Sequence, residues 1–297
     1  MRLILAALAL LCCASADFEE SLARNFMLPL AAAAYSDAPQ QCLDKTIHGA
    51  KLRKQVTVKC DSFHDKCSGF TFVDDKHSII GISFRGSNNP AQMAVEIQET
   101  AFQPKVDFVE GGQVSKYFND AFRSVWDGGL EEEVSYLIMT YPDYDLWITG
   151  HSLGGALASL ATAEIISMDL FDKSRIFLYT FGQPRIGDQM YADVHDKLVK
   201  ESYRVVHGRD LIVHAPAPVY KYVHHKNEVI IKTDENNHFF RDIHVCSTTT
   251  KEDDSYQVCT RQEDQNCSDE YTFGLTLADH TNYYGKNVSD FGQSGCK

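Results

Sequence analysis

The chain has 297 residues, of which 44% are hydrophobic and 23% are charged. This composition is typical of a globular protein with a sizeable core and excludes a disordered or fibrous chain. The formal net charge is −13 at pH 7, which disfavours nucleic acid and anionic bilayers as partners because both repel an acidic protein. Beyond the N-terminus we find no internal repeat and predict no transmembrane segment, so we expect a single domain over residues 17–297.

The N-terminus is typical of a signal peptide. Arg2 precedes an unbroken apolar stretch over residues 3–13, and residues 14–16 then supply the small side chains that signal peptidase accepts. An N-terminal anchor helix is the less favoured alternative, because the apolar stretch is too short to span a bilayer comfortably. We therefore predict that residues 1–16 are removed and that the mature protein is secreted and extracellular.

Hydrophobic periodicity predicts that helices and strands alternate along the chain. A helix over residues 18–35 comes first, and short strands over 56–59 and 70–73 follow it. A buried strand over 77–84 precedes a helical stretch over 117–140, and a strand over 145–149 precedes a small-residue helix over 154–168. Strands over 175–181 and 203–207 lead into a polar C-terminal third with loops and short strands. This alternation predicts an α/β fold with a mainly parallel central sheet flanked by helices.

The motif G-x-S-x-G lies between the strand at 145–149 and the helix after it, and it contains Gly150, Ser152 and Gly154. Glycines are required because the turn is tight and larger side chains would collide with neighbouring backbone. Ser152 is then presented at a helix N-terminus, where the dipole and free N–H groups favour developing negative charge. A chance glycine–serine turn is the alternative, but the strand before and the helix after favour a nucleophile.

A serine nucleophile needs a base and an orienting carboxylate, which follow it in α/β-hydrolases in the order acid, then histidine. Asp210 follows a strand and opens a loop, where such acids lie. His151 precedes the nucleophile, and we expect its side chain to point into the fold because Ser152 points outward. The residues alone leave the base open among His214, His224, His225, His238, His244 and His280.

Five stretches resemble the fungal-type class 3 lipases and occur in the order of that family: residues 84–87 (FRGS), 150–158 (GHSLGGALA), 180–187 (TFGQPRIG), 205–210 (VVHGRD) and 279–285 (DHTNYYG). The resemblance implies an α/β-hydrolase-like fold and hydrolysis of carboxylic esters. It implies that Asp210 and His280 complete a triad with Ser152. Structural roles, as a turn cap for Asp210 and a surface position for His280, are the alternatives.

The oxyanion hole is predicted from the same motifs. The backbone N–H of Leu153, the residue after the nucleophile, supplies one donor. The resemblance implies that Ser87 supplies the other, through its N–H and its hydroxyl. A serine in a plain turn is the alternative for Ser87.

A lid helix is expected over residues 89–103, because lipases of this family carry a helix there that covers the site. Asn89 and Pro90 suit a helix start, and Met93, Ile97 and Ala101 fall on one face. We expect this helix to lack the large aromatic side chain that many lids of the family carry, which predicts weak activation at a lipid–water interface. An ordinary amphipathic surface helix is the alternative.

Disulfides are expected in a secreted chain, but spacing alone leaves the pairing of the seven cysteines after the signal peptide open. The resemblance implies the pairs Cys42–Cys296, Cys60–Cys67 and Cys259–Cys267, with Cys246 as the odd cysteine. Asn287 and Asn266 begin glycosylation sequons, and the second is weaker because cysteine occupies its middle position.

No metal site and no cofactor are predicted, because the sequence contains no pair of closely spaced CxxC units. The stretch around His224 and His225 resembles a structural strand of the family at residues 222–229. Metal binding by these histidines with Glu228 is the less favoured interpretation.

The favoured function is a secreted serine hydrolase, a triacylglycerol lipase that cleaves neutral glycerides or small esters through an acyl-enzyme. Feruloyl-type esterase, phospholipase A1 and diacylglycerol lipase share the same motifs, although the acidic charge disfavours anionic phospholipid. Residues 84–87 and 180–187 disfavour a serine peptidase. A non-catalytic lipid-binding protein would have lost a triad residue, and all three residues are present.

Overall fold

The computed structural model describes residues 18–60, 66–89, 95, 97, 102–169, 171–232 and 256–297. Its strands within these residues are β1 (Lys51–Lys59), β2 (Lys66–Asp74), β3 (Ile79–Phe84), β4 (Lys105–Asp107), β5 (Gln113–Ser115), β6 (Asp145–His151), β7 (Ile176–Phe181), β8 (Glu201–His207), β9 (Glu228–Ile231), β10 (Tyr256–Cys259), β11 (Asn282–Tyr283) and β12 (Lys286–Asn287).

The central sheet has eight strands in the order β1-β2-β3-β6-β7-β8-β9-β10. The pairs from β3 to β9 are parallel, whereas β1, β2 and β10 pair antiparallel at the two edges. The predicted α/β fold with a mainly parallel sheet is therefore confirmed. Because the carboxyl ends of parallel strands share one edge of a sheet, the loops after β3, β6 and β8 meet there.

The helices are α1 (Glu20–Leu22), α2 (Leu28–Ala33), α3 (Gln40–Thr46), α4 (Lys116–Val125), α5 (Glu131–Thr140), α6 (Leu153–Ser167), α7 (Gln189–Leu198), α8 (Leu277–Thr281) and α9 (Val288–Gln293). A π-helical turn, Ala23–Met27, joins α1 to α2, and a second, Trp126–Leu130, joins α4 to α5. The second turn contains Gly129 at φ 117°, so the helix predicted over residues 117–140 is kinked there.

Two apolar cores lie on opposite faces of the sheet, because neighbouring residues of a strand point to opposite sides. On β7, Leu178 belongs to the core shared with α4, α5 and α6, whereas Tyr179 belongs to the core shared with the N-terminal helices. Small residues such as Ala156 and Ala161 let α6 be buried on nearly every side. Helix α6 is thereby held tightly against β6, the strand that precedes it.

The prediction of a strand over residues 222–229 is wrong, since β9 begins only at Glu228. Lys221 and Asn227 adopt left-handed backbone conformations with φ near 60°, which interrupts an extended chain at both ends of this segment. The N–H of Val223 forms an isolated β-bridge to the carbonyl of Gly187 at 2.9 Å, but two other N–H groups of the segment bind side chains. That of His224 donates to Glu263 and that of Lys226 donates to Asp196.

Within the described residues three disulfides are present: Cys42–Cys296, Cys60–Cys67 and Cys259–Cys267. They are the pairs that the family resemblance implies. The first joins α3 to the C-terminus across 254 residues of sequence. Cys246 and the predicted signal peptide lie outside the described residues. Among the residues described, no helix is both long enough and apolar enough to cross a bilayer.

Candidate active site

Ser152 occupies a strained turn between β6 and α6. Its backbone is at φ 64° and ψ −130°, a conformation that a residue with a side chain adopts rarely. A Cβ atom at Gly150 would lie 2.1 Å from the carbonyl oxygen of Gly154, and one at Gly154 would lie 2.2 Å from that of Phe84. The two motif glycines are therefore required by direct backbone contact, for the steric reason expected from the sequence.

His280 and Asp210 meet Ser152 from two other elements. His280 lies on the short helix α8, which Thr276 caps by accepting a hydrogen bond from Asp279 N–H. Its Nε2 lies 2.7 Å from Ser152 Oγ, and its Nδ1 lies 2.9 Å from both carboxylate oxygens of Asp210, just after β8. All three side chains are buried. The structure thus brings the three predicted triad residues together in one line of hydrogen bonds.

The carboxylate of Asp210 is held in its charged form. Burial by itself raises the pKa of this carboxyl, but the charge and hydrogen bonds of His280, with donors from Tyr283 and Ile212, outweigh burial and lower the pKa overall. Tyr283 donates from its hydroxyl at 2.6 Å and Ile212 from its backbone N–H at 2.7 Å. Tyr283 lies in the fifth family-like stretch, but no pattern in the sequence predicts its contact with Asp210.

Gly182 is a second residue whose contact with the catalytic side chains no local sequence pattern predicts. It follows β7 at φ 59°, and its N–H donates to the carbonyl of Val205 at 3.0 Å. A Cβ atom here would lie 2.8 Å from Asp210 Oδ2 and 2.9 Å from His280 Nδ1. Only glycine leaves room for the histidine–aspartate contact, which explains this position in the stretch at 180–187.

His151 points into the fold, as expected, and also contacts the histidine of the triad. Its Nδ1 accepts a hydrogen bond from the Tyr35 hydroxyl at 2.8 Å, and its Nε2 donates to the backbone carbonyl of His280 at 2.7 Å. The two imidazole rings stack with centroids 4.7 Å apart. Burial, followed by the charge of His280, lowers the pKa of His151 to about 3. This histidine therefore stays neutral and positions its neighbour.

The predicted oxyanion donors lie next to Ser152. Leu153 is the first residue of α6, where a backbone N–H has no partner within the helix. Ser87 follows Gly86, at which a Cβ atom would lie 3.0 Å from Ser152 Cβ. The Ser87 hydroxyl accepts from the N–H of Asn89 at 3.1 Å and donates to its carbonyl at 3.3 Å. The backbone N–H of Ser87 is thus the better candidate donor, because its hydroxyl is engaged in this turn.

The predicted lid falls largely outside the described residues, and this includes Met93 and Ala101. Ile97 is helical and buried, whereas Val95 is helical and 56% exposed. Phe102 lies within the expected lid range, is 72% exposed and contacts the Tyr220 ring edge-on at 5.0 Å. The expectation that this segment lacks a large aromatic side chain is therefore wrong.

The other candidate bases among the described residues contact groups other than Ser152. His224 Nε2 contacts the carbonyl of Val213 at 2.8 Å, His225 Nε2 contacts Gln183 at 3.1 Å, and His214 lies 3.9 Å from Asp269. His238 and His244 lie outside the described residues.

The alternative metal site predicted from the sequence, formed by His224, His225 and Glu228, is not found among the described residues. The carboxylate of Glu228 pairs with Arg204 at 3.2 Å and accepts from the backbone N–H of Ser268 at 2.7 Å. These contacts leave Glu228 as the partner of a buried arginine.

Comparison with known proteins identifies relatives for this arrangement. Residues 81–220 match the family Lipase (class 3). Lipase ZK262.3 of Caenorhabditis elegans is 33% identical over 95% of this chain and 83% of its own length. The lipase of Rhizomucor miehei is 30% identical over 72% of this chain, and the match spans 54% of that lipase.

A solved structure of the Rhizomucor miehei triacylglyceride lipase superimposes with a TM-score of 0.75, 25% identity, and coverage of 92% of this chain and 97% of that one. The shared fold, the sequence identity with the nematode lipase and the hydrogen bonds around Ser152 all indicate the same family. The chain therefore belongs to the class 3 lipase family and is a carboxylic ester hydrolase.

Proposed function

We propose that the chain is a secreted triacylglycerol lipase that cleaves neutral glycerides with Ser152 as nucleophile, His280 as base and Asp210 as orienting acid. The observation that carries the proposal is the contact of 2.7 Å between Ser152 Oγ and His280 Nε2, continued to Asp210 at 2.9 Å. Proton transfer needs heavy atoms within about 3 Å, and this line of contacts satisfies that requirement. The triacylglyceride lipase of Rhizomucor miehei shares the fold.

The reaction proceeds in two halves. Ser152 Oγ attacks the ester carbonyl while its proton passes to His280 Nε2, and the tetrahedral oxyanion accepts hydrogen bonds from the N–H groups of Leu153 and Ser87. His280 then returns the proton to the leaving alcohol, and an acyl group remains on Ser152. Water, deprotonated by His280, releases the fatty acid by the same route in reverse. Asp210 keeps Nδ1 of His280 protonated and stabilises the imidazolium.

Charge supports a neutral substrate. The protein carries a formal net charge of −13, and a glyceride carries none, so that the ester approaches without repulsion. Anionic phospholipid surfaces would repel the same protein. Phe102, which contacts the Tyr220 ring, and Val219, which precedes Tyr220 in sequence, are exposed apolar side chains that support contact with a lipid surface.

Secretion and glycosylation are part of the proposal. Three disulfides in one chain support an oxidising compartment. Asn287 is half-buried and its side-chain oxygen caps α9, which leaves its amide nitrogen for a glycan. Asn266 donates from its amide nitrogen to Asp264 at 2.9 Å and adjoins a disulfide cysteine, so we favour Asn287 as the glycan site.

The substrate class is tested by comparing hydrolysis rates. Emulsified short-chain triglyceride is expected to be cleaved faster than diacylglycerol, phosphatidylcholine or a feruloyl ester at equal ester concentration. Faster cleavage of phosphatidylcholine or the feruloyl ester would replace the lipase assignment with phospholipase A1 or feruloyl-type esterase. The Ser152→Ala variant is the control for non-enzymatic hydrolysis in every assay.

Gating by residues 89–103 is tested separately. If this segment covers Ser152 in water, opening exposes apolar surface at about 25 cal/mol per Å², and a lipid phase removes that cost. The rate should rise modestly when the triglyceride passes its solubility limit, and Met93→Ser with Ile97→Ser should flatten the rise. Simple saturation through the limit, unchanged by both substitutions, would instead indicate an open site.

A further inference from the structure

Three metal-ligating side chains meet away from the catalytic residues, where α7 packs against the segment before β9. His195 and Asp196 are consecutive residues of α7, and His225 lies in that segment. One ligand atom from each lies within 4.8 Å of the other two. Both histidines are buried, and their rings stack with centroids 3.8 Å apart. Two imidazoles and one carboxylate are a known ligand set of three-residue zinc sites.

His195 offers a nitrogen that the protein leaves unused. Its Nε2 lies 3.0 Å from Ser159 Oγ, whereas its Nδ1 is buried without a hydrogen-bond partner among the described residues. A buried polar atom without a partner is destabilising. A bound ion at this position would remove the deficit at Nδ1, and the contact of Nε2 with Ser159 would fix the ring orientation.

The surroundings of His225 fit the same role. Its Nδ1 donates to the carbonyl of Lys226 at 3.3 Å, while the N–H of Lys226 donates to Asp196 at 2.8 Å, so imidazole and carboxylate both contact the backbone of Lys226. Its Nε2 faces the amide of Gln183, whose buried Oε1 has no partner among the described residues. If Nδ1 binds a cation, the proton moves to Nε2, and a rotated Gln183 amide accepts it through Oε1.

We propose that His195, Asp196 and His225 bind one divalent transition metal of the zinc type. The ligands are the two Nδ1 atoms and one carboxylate oxygen, with water in the fourth position. Ligands around a tetrahedral zinc lie about 3.4 Å apart, so the trio closes by about 1 Å on binding. Ser159 is seven residues along α6 from Ser152, which corresponds to about 10 Å. The ion therefore ties α7 to the segment before β9 and takes no part in ester cleavage.

The local charges permit this ion. Lys226 and Arg204 are the cations that act on the trio, and the guanidinium of Arg204 is paired with Glu228 at 3.2 Å. Burial, followed by the charge of Arg204, lowers the pKa of His195 to about 3. Burial, followed by the charges of His195 and Arg204, also lowers the pKa of His225 well below its ordinary value. Burial thus favours the neutral form of both imidazoles, which is the form that binds a metal.

The test is a titration of the EDTA-treated, dialysed protein with zinc chloride at pH 6, followed by calorimetry and by the melting temperature. We expect one zinc per chain with a Kd at or below about 10 µM, and a Tm that rises with zinc concentration. Asp196→Asn should lower the affinity at least about tenfold and remove the Tm rise. His48→Gln, at an exposed histidine, is the matched control and should bind as the parent protein does.

Further variants distinguish zinc binding at this site from zinc binding elsewhere on the protein. Asp196→Asn keeps the size of a partly exposed side chain, and an unchanged esterase rate shows that the variant is folded. Cys246→Ser combined with His244→Gln removes other ligand-type side chains and should leave the affinity unchanged. The proposal is overturned by no binding at 1 mM zinc (about 100 times the expected Kd), by normal affinity in Asp196→Asn, or by lost affinity in the Cys246→Ser/His244→Gln protein.

Discussion

Two buried polar clusters of this protein are built on opposite principles. In the catalytic cluster, Ser152, His280 and Asp210 form a single line of hydrogen bonds that ends at a serine on a strained turn. The second, here called the arginine cluster, balances two cations against three carboxylates: Arg185, Arg204, Glu228, Glu263 and Asp269. Its closest contacts are 2.6 Å, 3.0 Å and 3.2 Å, and it holds no nucleophile.

The comparison teaches that burial of charge does not by itself mark a reactive site. In the arginine cluster, each charge faces an opposite charge, and removal of one partner leaves the other uncompensated. In the catalytic cluster, the carboxylate of Asp210 binds Nδ1 of His280, and Nε2 of the same ring contacts the hydroxyl of Ser152. Substitutions should therefore separate the two clusters. In the catalytic cluster they should lower activity and leave stability unchanged. In the arginine cluster they should lower stability and leave the catalytic geometry unchanged.

The largest effect is expected at the nucleophile. Ser152→Ala should lower kcat by about 10⁴-fold or more, because no other group forms the acyl-enzyme. His280→Ala and Asp210→Asn should each be severely impaired, and combining either with Ser152→Ala should add little, since residues acting as a unit are non-additive. The measurement is kcat on a soluble ester, with Ser167→Ala at the end of α6 as control. Activity above a few per cent in Ser152→Ala would show that another residue is the nucleophile.

The arginine cluster should give the largest loss of stability. Arg204→Met leaves Glu228 buried without its partner, and the free energy of unfolding should fall by about 3–5 kcal/mol. Urea unfolding measures this loss, while kcat of the folded fraction should change less than twofold. Adding Glu228→Gln should restore part of the stability, because it removes the uncompensated charge. A large fall in kcat with unchanged stability would contradict the division between the clusters.

A smaller effect on activity is expected from the hydroxyl of Tyr283. Tyr283→Phe removes the donor 2.6 Å from Asp210 Oδ2, and we expect kcat to fall about tenfold because a hydrogen bond to a charged group contributes about 1.5–3 kcal/mol. The neighbouring Tyr284→Phe is the matched control, since the ring of Tyr284 lies under Arg24. Equal kcat in both variants would mean that Tyr283 fills space without holding the carboxylate.

The smallest effect concerns pH and the carboxyl pair in the arginine cluster. Burial, opposed by Arg185 and reinforced by the charge of Glu263, raises the pKa of Asp269 to about 6. A carboxyl whose pKa is higher in the folded than in the unfolded protein stabilises the fold when it is protonated. For Asp269 this contribution is complete below about pH 4, near its unfolded pKa, and is lost as the pH rises through about 6, its folded pKa.

Asp269→Asn resembles the protonated acid at every pH. Its Tm relative to the parent protein should therefore rise by about 2 °C between pH 4 and pH 8. Differential scanning calorimetry at the two values gives the comparison, with the exposed Glu270→Gln as control. A Tm difference that is constant with pH would mean that Asp269 is ionised throughout.

Local patterns were sufficient for much of the fold and for the nucleophile. The alternation of helix and strand periodicity predicts the parallel sheet because burial of one face fixes the period of each element. The need for glycine on both sides of Ser152 can be predicted from the motif, because the turn leaves no room for a Cβ atom. The family-like stretches selected Asp210 and His280 out of several acids and histidines, which spacing alone could not do.

Only the tertiary structure decided how distant residues meet. Gly182 and Tyr283 surround the histidine–aspartate pair from other elements, and no local pattern signals such contacts. The family resemblance predicts a strand around His225, but the N–H groups of His224 and Lys226 bind side chains from the loop after β10 and from α7. Periodicity records which residues are buried, whereas their partners are set by how separate elements pack.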